Sequence, residues 1–165
     1  MRYEFGCKVS VVTTLDEGFV VGMRSFPGAP YDGHTLSRAL EQVTILTDQR
    51  PELAVVDRGY RGHGEEKTRV LISGMRRGLT PKLIADLRRR SAIEAEIGHM
   101  KTDGRLSRSP LKGTFGDAVF AVLCACGHNI RKILAHLRAL FAWIIVAILT
   151  AVNVPRRDLQ MLRVA

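Results

Sequence analysis

Leu53-Ala54-Val55-Val56-Asp57-Arg58-Gly59-Tyr60-Arg61-Gly62 is the stretch on which the reading of the fold turns. Four apolar residues follow Pro51-Glu52 and stop abruptly at an acid. A run this short, bounded by turn residues, predicts a buried strand parallel to its neighbours. Gly59, Gly62 and Gly64 then predict a mobile loop. The carboxyl edge of such a strand is where open α/β sheets bind ligands. Asp57 also suits a plain turn-starter or cap, and its position leaves both roles open.

Working outward, residues 3–14 alternate, with Tyr3, Phe5, Cys7, Val9 and Val11 set against Glu4, Lys8 and Ser10. That period of two predicts a half-buried strand. Leu15-Asp16-Glu17-Gly18 is a turn signal, and Phe19 to Phe26 reads as the second strand of a hairpin. After Pro27-Gly28-Ala29-Pro30, Asp32 or Thr35 is placed to cap a helix running through Leu36, Leu40, Val43 and Leu46. Lys67 to Ser73 is a weak further strand. Pro81 opens a helix expected to continue to about Lys101, Ser107 to Gly116 is a basic loop, and one or two apolar helices follow from Asp117 to Val152.

This order predicts an α/β domain over 1–116 and a helical extension over 117–165. The strand count is thin and the chain opens directly on its hairpin, so a further strand is expected ahead of Met1. Cysteines 7, 124 and 126 form neither a disulfide framework nor a zinc spacing, and Cys124 and Cys126 read as small core residues on an apolar helix. With no secretory signal pattern at the start, this predicts a reducing, cytoplasmic setting.

The chain carries a formal charge of +9 over 165 residues, and a pI near 10.1 predicts a polyanion partner, nucleic acid before anionic lipid. The charge is uneven. Residues 1–75 hold 9 basic and 10 acidic residues, whereas residues 76–112 hold 10 and 4, so a phosphate backbone is expected along the second half. Arg88, Arg89 and Arg105 belong to that basic stretch. The charge-free run Ala139–Thr150 is shorter than the ~20 residues of a membrane span. It is therefore expected as a buried helix packed on partner protein, with a membrane location the lesser alternative.

Arg90, Glu94 and Lys101 fall within roughly 40° of one another on a continuous helix at about 100° per residue. Ile93, Ile97 and Met100 place that stripe at the edge of the buried face. An acid between two bases suits a metal ligand with a phosphate clamp on either side, and equally an ordinary i,i+4 ion pair on a solvated face. Paired acids such as Asp57 and Glu94 are what two-metal phosphodiester cleavage requires, with ions about 4 Å apart and a third acid normally added. Their oxygens favour Mg2+ or Mn2+ over zinc. His99 lies on the opposite side of the helix and reads as surface. Asp32 and His34 read better as capping or loop residues, with Asp32 the first candidate should a third acid lie within the chain.

Several of these stretches, in this order, resemble the DDE transposases of bacterial insertion sequences, in the five-type group. The matching segments are Arg2-Tyr3-Glu4-Phe5-Gly6-Cys7-Lys8-Val9-Ser10, Pro30-Tyr31-Asp32-Gly33-His34-Thr35-Leu36 and Asp57-Arg58-Gly59-Tyr60-Arg61-Gly62-His63. Arg90, Glu94 and Lys101 have the spacing of the family's Tyr-Arg-Glu-Lys motif, and Leu111-Lys112-Gly113-Thr114 and Gly127-His128-Asn129-Ile130-Arg131-Lys132 resemble its C-terminal portion. The resemblance covers roughly Arg2 to Leu137.

The resemblance implies a ribonuclease-H-like mixed sheet, lacking its first strand here. Asp57 and Glu94 would be the second and third metal-binding acids, and Arg90 and Lys101 contacts to DNA phosphates near the cleaved bond. It also implies cleavage and strand transfer in DNA transposition, with element ends and target DNA as partners and a homodimer or pairing with full-length transposase as the protein assembly. Two departures stand out: Leu87 occupies the motif's Tyr position, and the family's first catalytic Asp, on an upstream strand, has no counterpart. The chain alone is therefore expected to be inactive and poorly soluble. The rival reading is a non-catalytic DNA-binding remnant or regulator of the element.

Overall fold

The computed structural model describes residues 6–75 and 78–152. The elements are β1 (Lys8–Thr13), β2 (Val20–Phe26), α1 (Asp32–Thr47), β3 (Leu53–Val56), a 3-10 turn (Arg58–Tyr60), β4 (Arg69–Ile72), α2 (Pro81–Arg89), α3 (Ala92–Thr102) and α4 (Gly113–Val152). The protein is thus mixed α/β, with small sheets and several helices. Tyr3 and Phe5, expected at the start of the first strand, lie outside the described residues.

β1 and β2 pair antiparallel from Lys8↔Phe26 to Thr13↔Val20, with an irregularity at Val12/Thr13. Gly18 adopts φ 69° in the connecting turn, a conformation that costs glycine little. α1 packs on the hairpin through Leu36, Ala39, Leu40 and Val43, all buried. Gly22 permits the close approach, since a Cβ there would come 2.8 Å from Val43 Cγ2. The expected caps do not form: Tyr31 is the N-cap and no side chain bonds the helix start. Asp32 instead pairs with Lys8 at 2.7 Å, and Thr35 donates to the Asp32 carbonyl.

β3 and β4 pair parallel from Leu53↔Arg69 to Val56↔Ile72, so the strand ending in Asp57 has the expected direction, although it is half-buried rather than buried. One mixed sheet was the expectation; among the described residues there are two two-stranded sheets instead. At Val20 the backbone N–H and C=O of β2 are both taken by the Asn129 side chain, each at 2.8 Å, which occupies groups that a neighbouring strand would need.

The loop after Asp57 is pinned rather than free. Tyr31 donates to the Arg61 carbonyl at 2.8 Å. The Glu65 carboxylate, its side chain only 3 % exposed, accepts from Arg50 at 2.7 Å, Lys67 N–H at 2.9 Å and Thr68 N–H at 3.2 Å.

The helix expected from Pro81 to Lys101 is broken at Arg90–Ser91. Ser91, Ile93 and Glu94 N–H groups bond the carbonyls three residues back, a 3-10 tightening that ends one helix and starts the next. Thr80 caps α2 by accepting from Leu83 N–H, with Pro81 at its start as expected.

α4 is one helix and begins at Gly113, before the expected Asp117. The chain divides by contact into two units, Met1–Asn129 and Ile130–Ala165. In the first unit, Ala121, Cys124 and Ala125 of α4 join Val20, Met23 and Met100 in a core flanked by Ile97, Leu106 and Phe120. Cys126 is exposed, not a core residue, because it falls on the opposite side of α4 from that contact. In the second unit the run expected to be buried is exposed, Trp143 at 70 %. By length and composition α4 is apolar enough to cross a membrane, a property that the charge-free run counted alone does not reveal.

Candidate functional site

Asp57 takes the capping role its position allowed. It is the N-cap of the 3-10 turn, and its Oδ1 accepts from Gly59 N–H at 2.9 Å. Its other oxygen, Oδ2, lies 3.6 Å from Arg90 Nη2. One oxygen is thus committed to local structure and the other faces a partner from the α2–α3 junction.

Arg90 owes its place to the break between the helices. Its N–H still bonds the Asp86 carbonyl at 3.2 Å, while Glu94 follows in the first turn of α3, where the helix macrodipole favours an acid. Glu94 Oε1 lies 3.8 Å from the same Arg90 Nη2. One nitrogen within 3.6 Å of one carboxylate and 3.8 Å of the other holds the two oxygens closer than the sum of those lengths. That separation is inside the ~8 Å that acids serving metals about 4 Å apart can span. Both contacts exceed hydrogen-bond length and are loose ion pairs.

A further carboxylate approaches from α1. A Cβ at Gly59 would lie 2.7 Å from Asp32 Oδ2 and 3.1 Å from Asp57 Oδ1, so the two acids face each other across this glycine. Burial pushes the Tyr60 phenol up, Asp32 and Asp57 push it in the same direction, and hydrogen bonding with Ser10 and Thr35 pulls against them. Charged groups therefore line one path: Lys8 pairs with Asp32, Asp32 faces the like charge of Asp57, and Arg90 stands against both Asp57 and Glu94. Asp32, which the sequence offers as the first candidate for a third acid, thus lies near Asp57, and the close approach has its signal in Gly59, read there only as loop freedom.

The other basic residues are exposed and stand apart. Lys101 lies about two turns beyond Glu94 on α3. Arg88 and Arg89 occupy the last turn of α2, and Arg89 pairs with Asp16 in the hairpin turn. Arg105 adopts φ 56° in the loop that follows α3. His99 is exposed, as expected, beside Asp103 at 3.3 Å. Among the described residues no group of three or more His, Cys, Asp or Glu side chains is arranged to hold a metal ion. An open groove of about 380 Å³, lined by Val21, Val43, Thr47 and Arg50 among others, involves none of these site residues.

Compared with protein-family models, curated proteins and solved structures, the chain matches none of them.

Proposed function

We propose that this chain carries the part of a DDE-transposase catalytic domain, ribonuclease-H-like in type, that bears the second and third metal-binding acids. The substrate is DNA at the ends of an insertion sequence and at its target. The observation that carries this reading is the convergence of Asp57 and Glu94, from a strand end and a helix start, on the single Arg90 guanidinium. The basic excess of residues 76–112 supports it as a phosphate-binding stretch.

The acids fit one divalent cation. Their oxygens are hard donors suited to Mg2+ or Mn2+, and their side chains are 46 % and 70 % exposed, so a hydrated ion reaches them. A guanidinium already stands against both as a cation. A second ion requires a further carboxylate, and Asp32, which faces Asp57 across Gly59, would have to leave Lys8 to join. When bound, such ions supply an activated water and a stabilised leaving oxygen. The chain's own part is to hold them with Asp57 and Glu94 and to orient the phosphate with Arg90 and Lys101.

A second reading, a DNA-binding protein without cleavage, needs only the basic excess of residues 76–112. Duplex binding and Mn2+ binding separate the two. Replacing Arg88, Arg89 and Arg105 together by Ala is expected to weaken binding and to flatten its salt dependence, by about one unit of slope for each phosphate no longer neutralised. Unchanged affinity and slope would remove DNA from the proposal. Mn2+ binding that is lost in Asp57→Asn or Glu94→Gln supports the transposase reading, whereas DNA binding by a chain that holds no Mn2+ supports the second.

A further inference from the structure

We infer that Arg90 is a built-in counter-ion that competes with the divalent cation for Asp57 and Glu94, so that the cation enters as the guanidinium leaves. The inference rests on the metal site proposed above. One nitrogen, Nη2, serves both carboxylates at 3.6 and 3.8 Å. A magnesium ion bonds carboxylate oxygen at about 2.1 Å, so an ion shared by these two oxygens needs the space and the charge balance that Nη2 now supplies. The arginine is held loosely enough to yield, because both contacts lie beyond hydrogen-bond length and both acids are substantially exposed, where ion pairs are weak.

The helix junction is held by the Arg90 backbone, through its N–H bond to Asp86 at the end of α2, whereas its side chain, 21 % exposed, makes the two loose ion pairs with Asp57 and Glu94. The guanidinium can therefore swing without unmaking the helix junction. Once released, it is available to a DNA phosphate. Cation and DNA then assist each other's binding, and by linkage the assistance is equal in both directions.

Calorimetric titration of Mn2+ into the full DNA-free chain tests the competition without any need for activity. Arg90→Gln is expected to tighten Mn2+ binding about tenfold, the scale of two weak exposed ion pairs removed. The Asp57→Asn/Glu94→Gln double variant is expected to lose it. That double variant should also bind duplex DNA more tightly than wild type, by more than it does when Arg90→Gln is added. Thermal melts show whether each variant is folded, and Arg90→Lys serves as a second variant should Arg90→Gln fail to fold. Lys, with a shorter reach, is expected to bind Mn2+ more tightly than wild type and less tightly than the Gln variant. Equal or weaker Mn2+ binding by the Arg90 variants, with binding still lost on removing the acids, overturns the competition alone. Mn2+ binding that ignores Asp57 and Glu94, or is absent throughout, overturns the metal reading and this inference with it.

Discussion

The two parts of α4 have similar helical backbones and opposite fates. Up to Asn129 the helix presents small residues, Gly116, Ala121, Cys124 and Ala125, and buries them. A Cβ at Gly116 would come 2.9 Å from Leu111 Cβ, so only a residue without one permits that approach. From Ile130 onward the side chains are larger and more apolar, yet Leu140, Phe141, Trp143, Ile145 and Ile148 are exposed. Hydrophobicity does not distinguish the buried part, since the exposed part has more of it. The buried part carries polar attachments to sequence-distant residues. Cys124 Sγ donates to the Gly104 carbonyl at 3.1 Å. His128 Nε2 lies 3.1 Å from Glu96 and 3.4 Å from the Gly18 carbonyl. Asn129 bonds both backbone groups of Val20. Small residues give close approach, and directional bonds between distant parts of the chain hold it.

The comparison breaks most readily at Asn129. Its side chain accepts from Val20 N–H and donates to Val20 C=O, both at 2.8 Å, and Val20 is itself buried. Asn129→Ala strands two backbone groups and is expected to cost about 3 kcal/mol, given roughly 1–3 kcal/mol for each unsatisfied buried group. Asn129→Asp retains the acceptor but sets a carboxylate oxygen against the Val20 carbonyl, and is expected to cost at least as much as Ala. Urea unfolding curves check both. A loss under about 1 kcal/mol in the Ala variant would show that packing of the small residues alone holds this part of the helix.

These attachments explain which features could be read from the sequence. The hairpin and β3 were legible because alternation and a short apolar run ending at Asp57 are local signals. The convergence of Asp57 and Glu94 could be suspected from a strand end and a motif-like spacing. The break at Arg90–Ser91 could not, because it comes from three-residue hydrogen bonds and no Gly or Pro marks it. Glu65, His128 and Asn129 were invisible as anchors, since their partners are backbone groups or side chains that periodicity does not identify. The exposed part of α4 was misread for a physical reason: apolarity states a preference for burial and says nothing of whether a surface exists to provide it.

Glu65 sharpens the same rule in a loop. Burial pushes its carboxyl up, but the Arg50 hydrogen bond, the Lys67 and Thr68 N–H groups and the charge of Arg50 bring it below the ordinary glutamate value. Glu65→Gln is expected to cost about 2 kcal/mol at neutral pH, the scale of hydrogen bonds to a charged group. A lowered folded pKa means stability that is complete above the unfolded value of about 4.3 and is lost as pH falls through the folded one. The gap between wild type and Glu65→Gln should therefore be constant from about pH 6 to 8 and shrink below about pH 4. Urea midpoints across that range measure it, and a gap that widens in acid would reverse the assigned sign.

The smallest effect on stability is expected where the side chains are largest, in the exposed part of α4. At about 100° per residue, Phe141 and Ile145 share one side of the helix and Trp143 and Val146 the opposite one, and all four are exposed. Replacing Trp143 and Ile145 together by Ser leaves every buried core residue with its neighbours intact. Exposed substitutions of this kind usually change stability by within about 0.5 kcal/mol. Serine's helix propensity is close to that of Trp and Ile, so the substitutions add little on that account. Self-association should respond much more strongly, because exposed apolar patches of this extent drive association. Urea unfolding and light scattering on the same samples separate the two effects. The expected outcome is a nearly unchanged midpoint with a large fall in the associated fraction. A stability lowered by more than about 2 kcal/mol, at a concentration where the chain is monomeric, would mean that this part of α4 packs within its own chain, and the contrast between its two parts would disappear.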